Sequence, residues 1–464
     1  MRMSPQPDLA PVIMPDGVEP PAATPEGWPP VAPRGKAKPP PVPLEVKYIY
    51  VLWAAVLLDP HRWIASFGFG FMHQMLALLF VPLLCLLALE WPRLLLRTQL
   101  EVWCPPFLAI LVIGGLGILG APNHGIARLT MKLLLIYYLL VLGTLHYVRT
   151  ARQAVPIVGL YFFQYLWWVL HARASGRVAW HPEYANYDSY GPLILMGLGT
   201  SFYFAQAAGT RRLRLLGYAV AAGCAFGVVA SFARGVVLSL ALLAVLMLVR
   251  SPHKGRMLGS MVVGLGVIVV AATILYPGGA FWREIMSSFT EGAKEGTGGE
   301  RWVLWTAAMR VWQTQPILGI GANNFGIAAS QIYGTGEAGG RFANPNTLWG
   351  FNLHNIYVQI LTEFGIVGSL AFIWLWVDFW RKNVALRSQA AINAWHARSG
   401  PRWNLRFLSL GLESSMVALL ACGFFYNEIY QHWMWTLFAL NLLLYRLSRP
   451  AVALRGTRTR PVIA

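Results

Sequence analysis

The sequence predicts an all-α polytopic membrane protein of about twelve transmembrane helices, with one long outer loop containing short amphipathic helices. Three observations carry this. Of 464 residues, 56% are hydrophobic and only 12% charged, against roughly 25% charged in a soluble domain. The mean hydropathy is +0.51, and apolar runs of the length that a span needs, about 20 residues, recur from about residue 46 to 446. Finally, the basic residues gather in every second loop.

The elements follow in order. Residues 1–45 include "PPVAPRGKAKPPPVP", proline-rich and polar with no apolar block, which reads as a disordered cytoplasmic tail and not a signal peptide. Spans 1–9 fall within 46–276, at about 46–58, 73–91, 104–120, 129–147, 154–170, 189–208, 215–231, 235–249 and 258–276. The first is short, and "DPHRWIASFGFGF" after it reads as re-entrant or interfacial. A long loop covers 277–353. Spans 10–12 lie within 354–446, at about 355–380, 405–425 and 427–446, and a basic tail closes the chain at 447–464.

With the amino terminus inside, the inner segments hold most of the 37 lysines and arginines: the tails, "RRLR", "RSPHKGR" and the 381–406 loop among them. This bias predicts that both termini are cytoplasmic. It also accounts for the net charge of +18 by orientation and anionic lipid heads, without nucleic acid. Cys85, Cys104, Cys224 and Cys422 sit in or beside apolar runs with no CxxC spacing, so they read as packing residues.

Most loops are under 25 residues, so the 277–353 loop stands out as a functional candidate. Within it, "GERWVLWTAAMRVWQTQP" is amphipathic at helical spacing, with Trp305, Ala308, Met309 and Trp312 on one stripe. "PILGIGANNF" then breaks the helix at Pro316, Gly319 and Gly321.

Three outer-face groups can carry chemistry. Arg234 lies between two apolar runs in "SFARGVVLSL", where a charge facing lipid is costly, so it is expected to face protein or a wet cavity. Arg301 begins the loop helix. His354 opens "LHNIYVQILTEFGIVG", with Asn352 or Leu353 expected to cap the helix there; the positive dipole end favours a neutral ring able to accept a proton. Each alone also fits a structural role, as a snorkelling arginine, a surface arginine or an interfacial histidine. Together they suggest two guanidinium forks for a diphosphate and a base for an alcohol attacking a sugar. No DxD, HExxH or P-loop motif is present. Asp59 and His61 in "DPHRW" make a poor metal site, and no metal or cofactor is expected.

The motifs H-N-x9-G-x-x-G at 354–368, "SFARGVVLSL", and R-x3-W followed by P-x-L-G-x-G at 301–321 resemble the O-antigen ligase and O-antigen polymerase superfamily, which includes bacterial O-oligosaccharyltransferases. The stretch "YVLWAAVLLDPHRW" resembles the amino-terminal region of exosortase-associated members. The resemblance implies an inverting, metal-independent glycosyltransferase of the bacterial inner membrane with a periplasmic active site, in lipopolysaccharide or surface polysaccharide synthesis. Its donor would be an undecaprenyl-diphosphate-linked glycan. The acceptor would be lipid A-core, another glycan or a protein hydroxyl; the ligase, polymerase and protein-glycosylation readings all stay open. On the same grounds His354 would be the catalytic base, and Arg234 and Arg301 would bind the donor diphosphate. Asn355 and Glu363 are supporting candidates, Glu363 by pairing with an arginine, while Gly365 and Gly368 would allow close helix packing. A lipid-linked glycan flippase is the competing class. It would call for repeated halves and charges near the midplane, whereas the notable charges here gather at the outer face.

Overall fold

A computed structural model of the chain describes residues 41–66, 75–95, 100–172, 178, 179, 181, 184, 187–251, 253–290, 296–333, 342, 344–399, 403–427 and 429–449. Most of the two expected tails (1–40 of 1–45, and 450–464 of 447–464) and part of the segment after the first span lie outside these residues. The described residues form helices and no strand.

The order is α1 (Leu44–Leu58), α2 (Pro60–Ala65), α3 (Met75–Leu89), α4 (Trp91–Leu95), α5 (Pro105–Gly117), α6 (His124–Tyr147), α7 (Ala151–His171), α8 (Tyr187–Ala207) and α9 (Arg211–Ala230). Then come α10 (Arg234–Arg250), α11 (Lys254–Leu275), α12 (Ala280–Thr290), α13 (Gly296–Thr314), α14 (Phe325–Ile332), α15 (Ile356–Ala385), α16 (Gln389–Ser399), α17 (Leu405–Cys422) and α18 (His432–Ser448). A helix stands at each of the twelve positions that hydropathy marked. Six (α6, α7, α9, α11, α15 and α17) are long and apolar enough to cross a membrane, and α3 and α5 are shorter apolar helices.

Polar side chains at the ends define several boundaries. Asn123 caps α6 through the Ile126 N–H at 3.1 Å, Thr150 and Gln153 form a capping box on α7, and Asn404 caps α17. Each satisfies N–H groups that a helix start leaves unpaired. Burial ranks the helices. The apolar window of α17 is 78% buried, and that of α11 only 11%. α17 is therefore the central post, while α11 presents Leu258, Val262, Val263, Leu265 and Ile274 outward, as a helix facing lipid would. At the end of the molecule remote from the site, Glu413 of α17 is almost fully buried but meets Arg250 at 2.9 Å and Arg387 at 2.5 Å. A buried carboxylate needs such partners.

The feature that organises the site is a break in α15. Gly365 adopts φ 65°, ψ −167° inside the helix, a region open essentially to glycine. The break frees backbone groups, and the chain at 316–321 takes them up. Ile320 and Gly321 donate to the Thr362 and Glu363 carbonyls at 3.1 and 3.0 Å, while Ile366 and Val367 donate to Pro316 and Ile317 at 2.9 and 3.2 Å. Irregular backbone at membrane depth is tolerated only when other protein satisfies it. Gly319, at φ 73°, fits because a Cβ there would come within 2.6 Å of the Glu363 carbonyl oxygen. The expected role of Gly365 thus changes: it does not ease packing between two helices, it lets a loop insert into one.

The loop helix α13 also turns differently from its predicted stripe. Its buried seam is Leu304, Ala307, Ala308 and Val311, packed with Ile320, Phe325, Ala328 and Leu353. Met309 is 37% exposed. Of the expected stripe only Ala308 is in this seam, with Trp305 packed against its side; small and aliphatic residues fill it because α14, Phe342, Leu348 and Leu353 press directly on them.

Candidate active site

The three motif residues come from separate parts of the chain: Arg234 is the first residue of α10, Arg301 lies in the second turn of α13, and His354 precedes α15. Each is traced to one short turn, Gly423–Asn427, between α17 and α18. A Cβ at Gly235, next to Arg234, would lie 2.6 Å from the Phe425 ring, so the start of α10 rests directly on that ring. The Arg301 guanidinium stands 5.6 Å from the centroid of the same ring, a cation–π distance. The segment carrying His354 is tied to the turn twice. Ile356 N–H donates to the Gly423 carbonyl at 2.7 Å, and Asn355 N–H donates to Asn427 Oδ1 at 3.2 Å.

A second tie links Arg301 to His354. Trp305, one turn beyond Arg301, donates its indole N–H to the Leu353 carbonyl at 3.0 Å. Histidine 354 itself is half-buried with φ 47°, an uncommon backbone state for a non-glycine residue and one found at functional positions. The cap of α15 is Asn355, not Asn352 or Leu353 as the sequence suggested. Its Oδ1 accepts from Tyr357 and Val358 N–H, both at 3.0 Å. The histidine is thereby held just outside the helix by a capping residue that is itself hydrogen-bonded to the turn.

Arg234 carries an anion partner within the protein: its Nε is 3.0 Å from Glu284 of α12, and Nη1 donates to Ser287 at 2.8 Å. The α12 segment therefore fixes the direction of this guanidinium.

Glu363 is buried but does not pair with an arginine as expected. Tyr430 O–H donates to Glu363 Oε2, and Gln359 donates to the same oxygen at 3.3 Å. The N–H groups of Asn323 and Phe325 also face the carboxylate, and Asn323 N–H donates to the Tyr430 hydroxyl at 3.1 Å. Burial, and then the Glu363 charge, push the Tyr430 phenol well above its ordinary value, so it remains a donor. Tyrosine suffices where an arginine was expected because the carboxylate already has backbone donors from the inserted loop. Gly368 lies one turn beyond Phe364 on the same helix, where a Cβ would overlap the Phe364 side chain and meet Ile113 of α5 at an ordinary 3.6 Å.

"DPHRW" forms its own cluster. Asp59, at φ 50°, receives His61 Nε2 at 2.9 Å and His181 Nε2 at 2.8 Å, with Arg62 Nε at 3.5 Å. Burial alone would raise the Asp59 carboxyl, but the His181 and His61 hydrogen bonds and the Arg62 charge hold it well below the usual carboxylate range. Among the described residues no group of three or more His, Cys, Asp and Glu has the arrangement of a metal site.

Sequence reasoning missed Phe425, Asn427 and Tyr430. Their aromatic run reads as apolar, so the last span was expected to begin at 427; the last helix begins at His432, and Gly423–Asn427 lies before it. The available signal was Asn427, a polar residue between two apolar runs.

A comparison with curated proteins found no match to the chain. Residues 217–373 match the family model described as O-antigen ligase. The match takes in Arg234, Arg301, His354, Glu363 and Gly365, and it ends before the Gly423–Asn427 turn. With six helices among the described residues long and apolar enough to cross a bilayer, this is a membrane protein whose residues 217–373 resemble the O-antigen ligase family.

Proposed function

We propose that the protein transfers a glycan from an undecaprenyl-diphosphate donor to an acceptor hydroxyl at the periplasmic face of the bacterial inner membrane, in an O-antigen ligase-like reaction. The observation that supports this reading is that the backbone next to Arg234, the Arg301 guanidinium and the backbone next to His354 each adjoin the Gly423–Asn427 turn. Twelve spans with both termini cytoplasmic follow from the alternation of basic loops, and this orientation brings the turn to the outer face.

In the reaction, the acceptor oxygen attacks the anomeric carbon as the bond from that carbon to the diphosphate oxygen breaks. His354 takes the hydroxyl proton, and the diphosphate leaves with the bonding electrons beside Arg234 and Arg301. Attack opposite the leaving group inverts the anomeric centre. Guanidinium forks match phosphate oxygens and stabilise charge that grows on the leaving group. General-base help of this kind contributes about 10²–10⁴ in rate.

The break in α15 favours a second reading, since discontinuous helices line transporter sites. Against it, Pro316–Gly321 takes up Thr362 and Glu363 carbonyls and Ile366 and Val367 N–H groups, leaving those groups none for an ion. The test uses purified protein in detergent, where no compartments exist, with a lipid-diphosphate glycan and candidate acceptors. The wild type is expected to transfer glycan. His354→Ala is expected to lose about 10²-fold or more with its thermal unfolding unchanged, while Arg234→Ala and Arg301→Ala raise the donor KM. Transfer by His354→Ala at the wild-type rate would overturn the base assignment, and donor translocation by the protein in sealed proteoliposomes, with no transfer in detergent, would favour the flippase.

A further inference from the structure

Beside His354 is a cavity of about 210 Å³ whose lining includes Asn323, Trp349, Asn352, Leu353, Glu363 and Asn427. We propose that it is a carbohydrate subsite that seats one pyranose ring next to His354. This rests on the glycosyl-transfer reading and deepens it by naming where a sugar is held.

Four features point to a sugar. The volume is below the roughly 300–1,000 Å³ of pockets for drug-sized ligands, in the range of a single ring. The polar lining is three amides and a carboxyl group, which offer both donors and acceptors; ring hydroxyls need both. Those amides are not spent on the fold. Asn427 uses only Oδ1, on the Asn355 N–H, and among the described residues no hydrogen bond engages its amide nitrogen or the side chains of Asn323 and Asn352. Finally, Trp349 is 60% exposed beside this polar wall, leaving an indole face of the kind that covers the C–H face of a sugar; a broad apolar surface with a polar edge is what aromatic side chains bring to recognition.

Charge separates this cavity from the diphosphate site. Its lining has a carboxyl group and no arginine or lysine among the described residues, so phosphate oxygens are disfavoured there, whereas Arg234 and Arg301 lie on the Phe425 side of the turn. Asn427 joins the two: it lines the cavity and fixes the backbone next to His354. A ring bound on Asn427 therefore lies against the segment that carries His354. The ring belongs either to the acceptor's terminal sugar or to the donor's first sugar, and the chemistry of recognition is the same for both.

The experiment uses the full-length protein in nanodiscs with three probes: methyl β-D-glucopyranoside, methyl β-D-galactopyranoside and methyl α-L-rhamnopyranoside. Saturation-transfer NMR is expected to show at least one bound through its ring protons. Trp349→Ala and Asn352→Ala, both at exposed positions, and Glu363→Gln are expected to weaken that binding about three- to tenfold each. Kinetics then assigns the source. A rise in acceptor KM with donor KM unchanged places the acceptor sugar in the cavity, and the reverse places the donor sugar there. No signal for any of the three probes, or wild-type binding and KM values in all three variants, overturns the subsite. If wild-type protein transfers glycan while these variants match it, the subsite falls and the enzyme stands. If the sugar binds and wild type transfers nothing, the subsite stands and the proposed reaction falls.

Discussion

Gly365→Ala tests whether the break in α15 is the joint that fixes the site. The backbone there has φ 65°, ψ −167°, and forcing alanine into that region costs about 1–3 kcal/mol. The added Cβ would also overlap the Ile317 carbonyl and come within 2.6 Å of the Gly319 nitrogen, so Pro316–Gly321 must withdraw. Four backbone hydrogen bonds join that loop to α15. If two are lost with their groups still buried, the cost is about 2–6 kcal/mol. The total is about 3–9 kcal/mol, far outside the range of about ±0.5 kcal/mol expected of a surface change. Thermal unfolding in nanodiscs measures it, with Gly266→Ala as the control, because nothing lies within 4 Å of a Cβ at Gly266. The expected result is a large fall in Tm for Gly365→Ala, none for Gly266→Ala, and loss of transfer because the inserted loop also supplies the Asn323 N–H that anchors Tyr430. A Gly365→Ala protein as stable and active as wild type would refute the inserted-loop account.

Three further outcomes follow from the same geometry. Asn355→Ala removes a cap that serves two N–H groups; it should cost about 0.5–2 kcal/mol and lower kcat, while Asn355→Asp keeps the cap and most of the activity, as unfolding curves and rates will test. Phe425→Leu removes the ring beneath Arg301, a contact of about 0.5–1 kcal/mol at a partly exposed site; a two- to fivefold rise in donor KM is expected, and an effect confined to acceptor KM would contradict the assignment. For Asp59 the folded carboxyl is depressed by His181, His61 and Arg62 despite its burial, so its stabilisation is present above the unfolded value of about 3.9 and is lost as pH falls below it. The Tm gap between wild type and Asp59→Asn should therefore be full above about pH 5 and shrink on acidification below about pH 4; a gap constant across that window would count against the cluster.

The helices were legible because a bilayer constrains sequence so simply: Leu, Val and Ile runs marked all twelve positions, and their ends shifted mostly by a few residues. Arg234 is conspicuous for the same reason, standing between two apolar runs. Backbone events were not. The glycine pairs of "PILGIG" and "GIVG" read as a turn and a packing surface, yet they are two halves of one structure, joined by hydrogen bonds that carry no side-chain signature. The cap lies two or three residues beyond its expected place because Asn352 and Asn355 are equally good capping types, and only the position of Asn427 distinguishes them.

The turn at 423–427 explains why motif order alone does not give a site. Arginine at 234, arginine at 301 and histidine at 354 lie far apart in sequence, on or beside separate helices, all within the matched segment 217–373. Phe425, Asn427 and the Gly423 carbonyl, outside that segment, together adjoin the three neighbourhoods. Those contacts consist of an aromatic face, an amide and a carbonyl, groups that many sequences can supply between two spans. The charged residues therefore specify which chemistry is available, whereas the packing of α17 and α18 against α10, α13 and α15 determines whether they reach the same substrate.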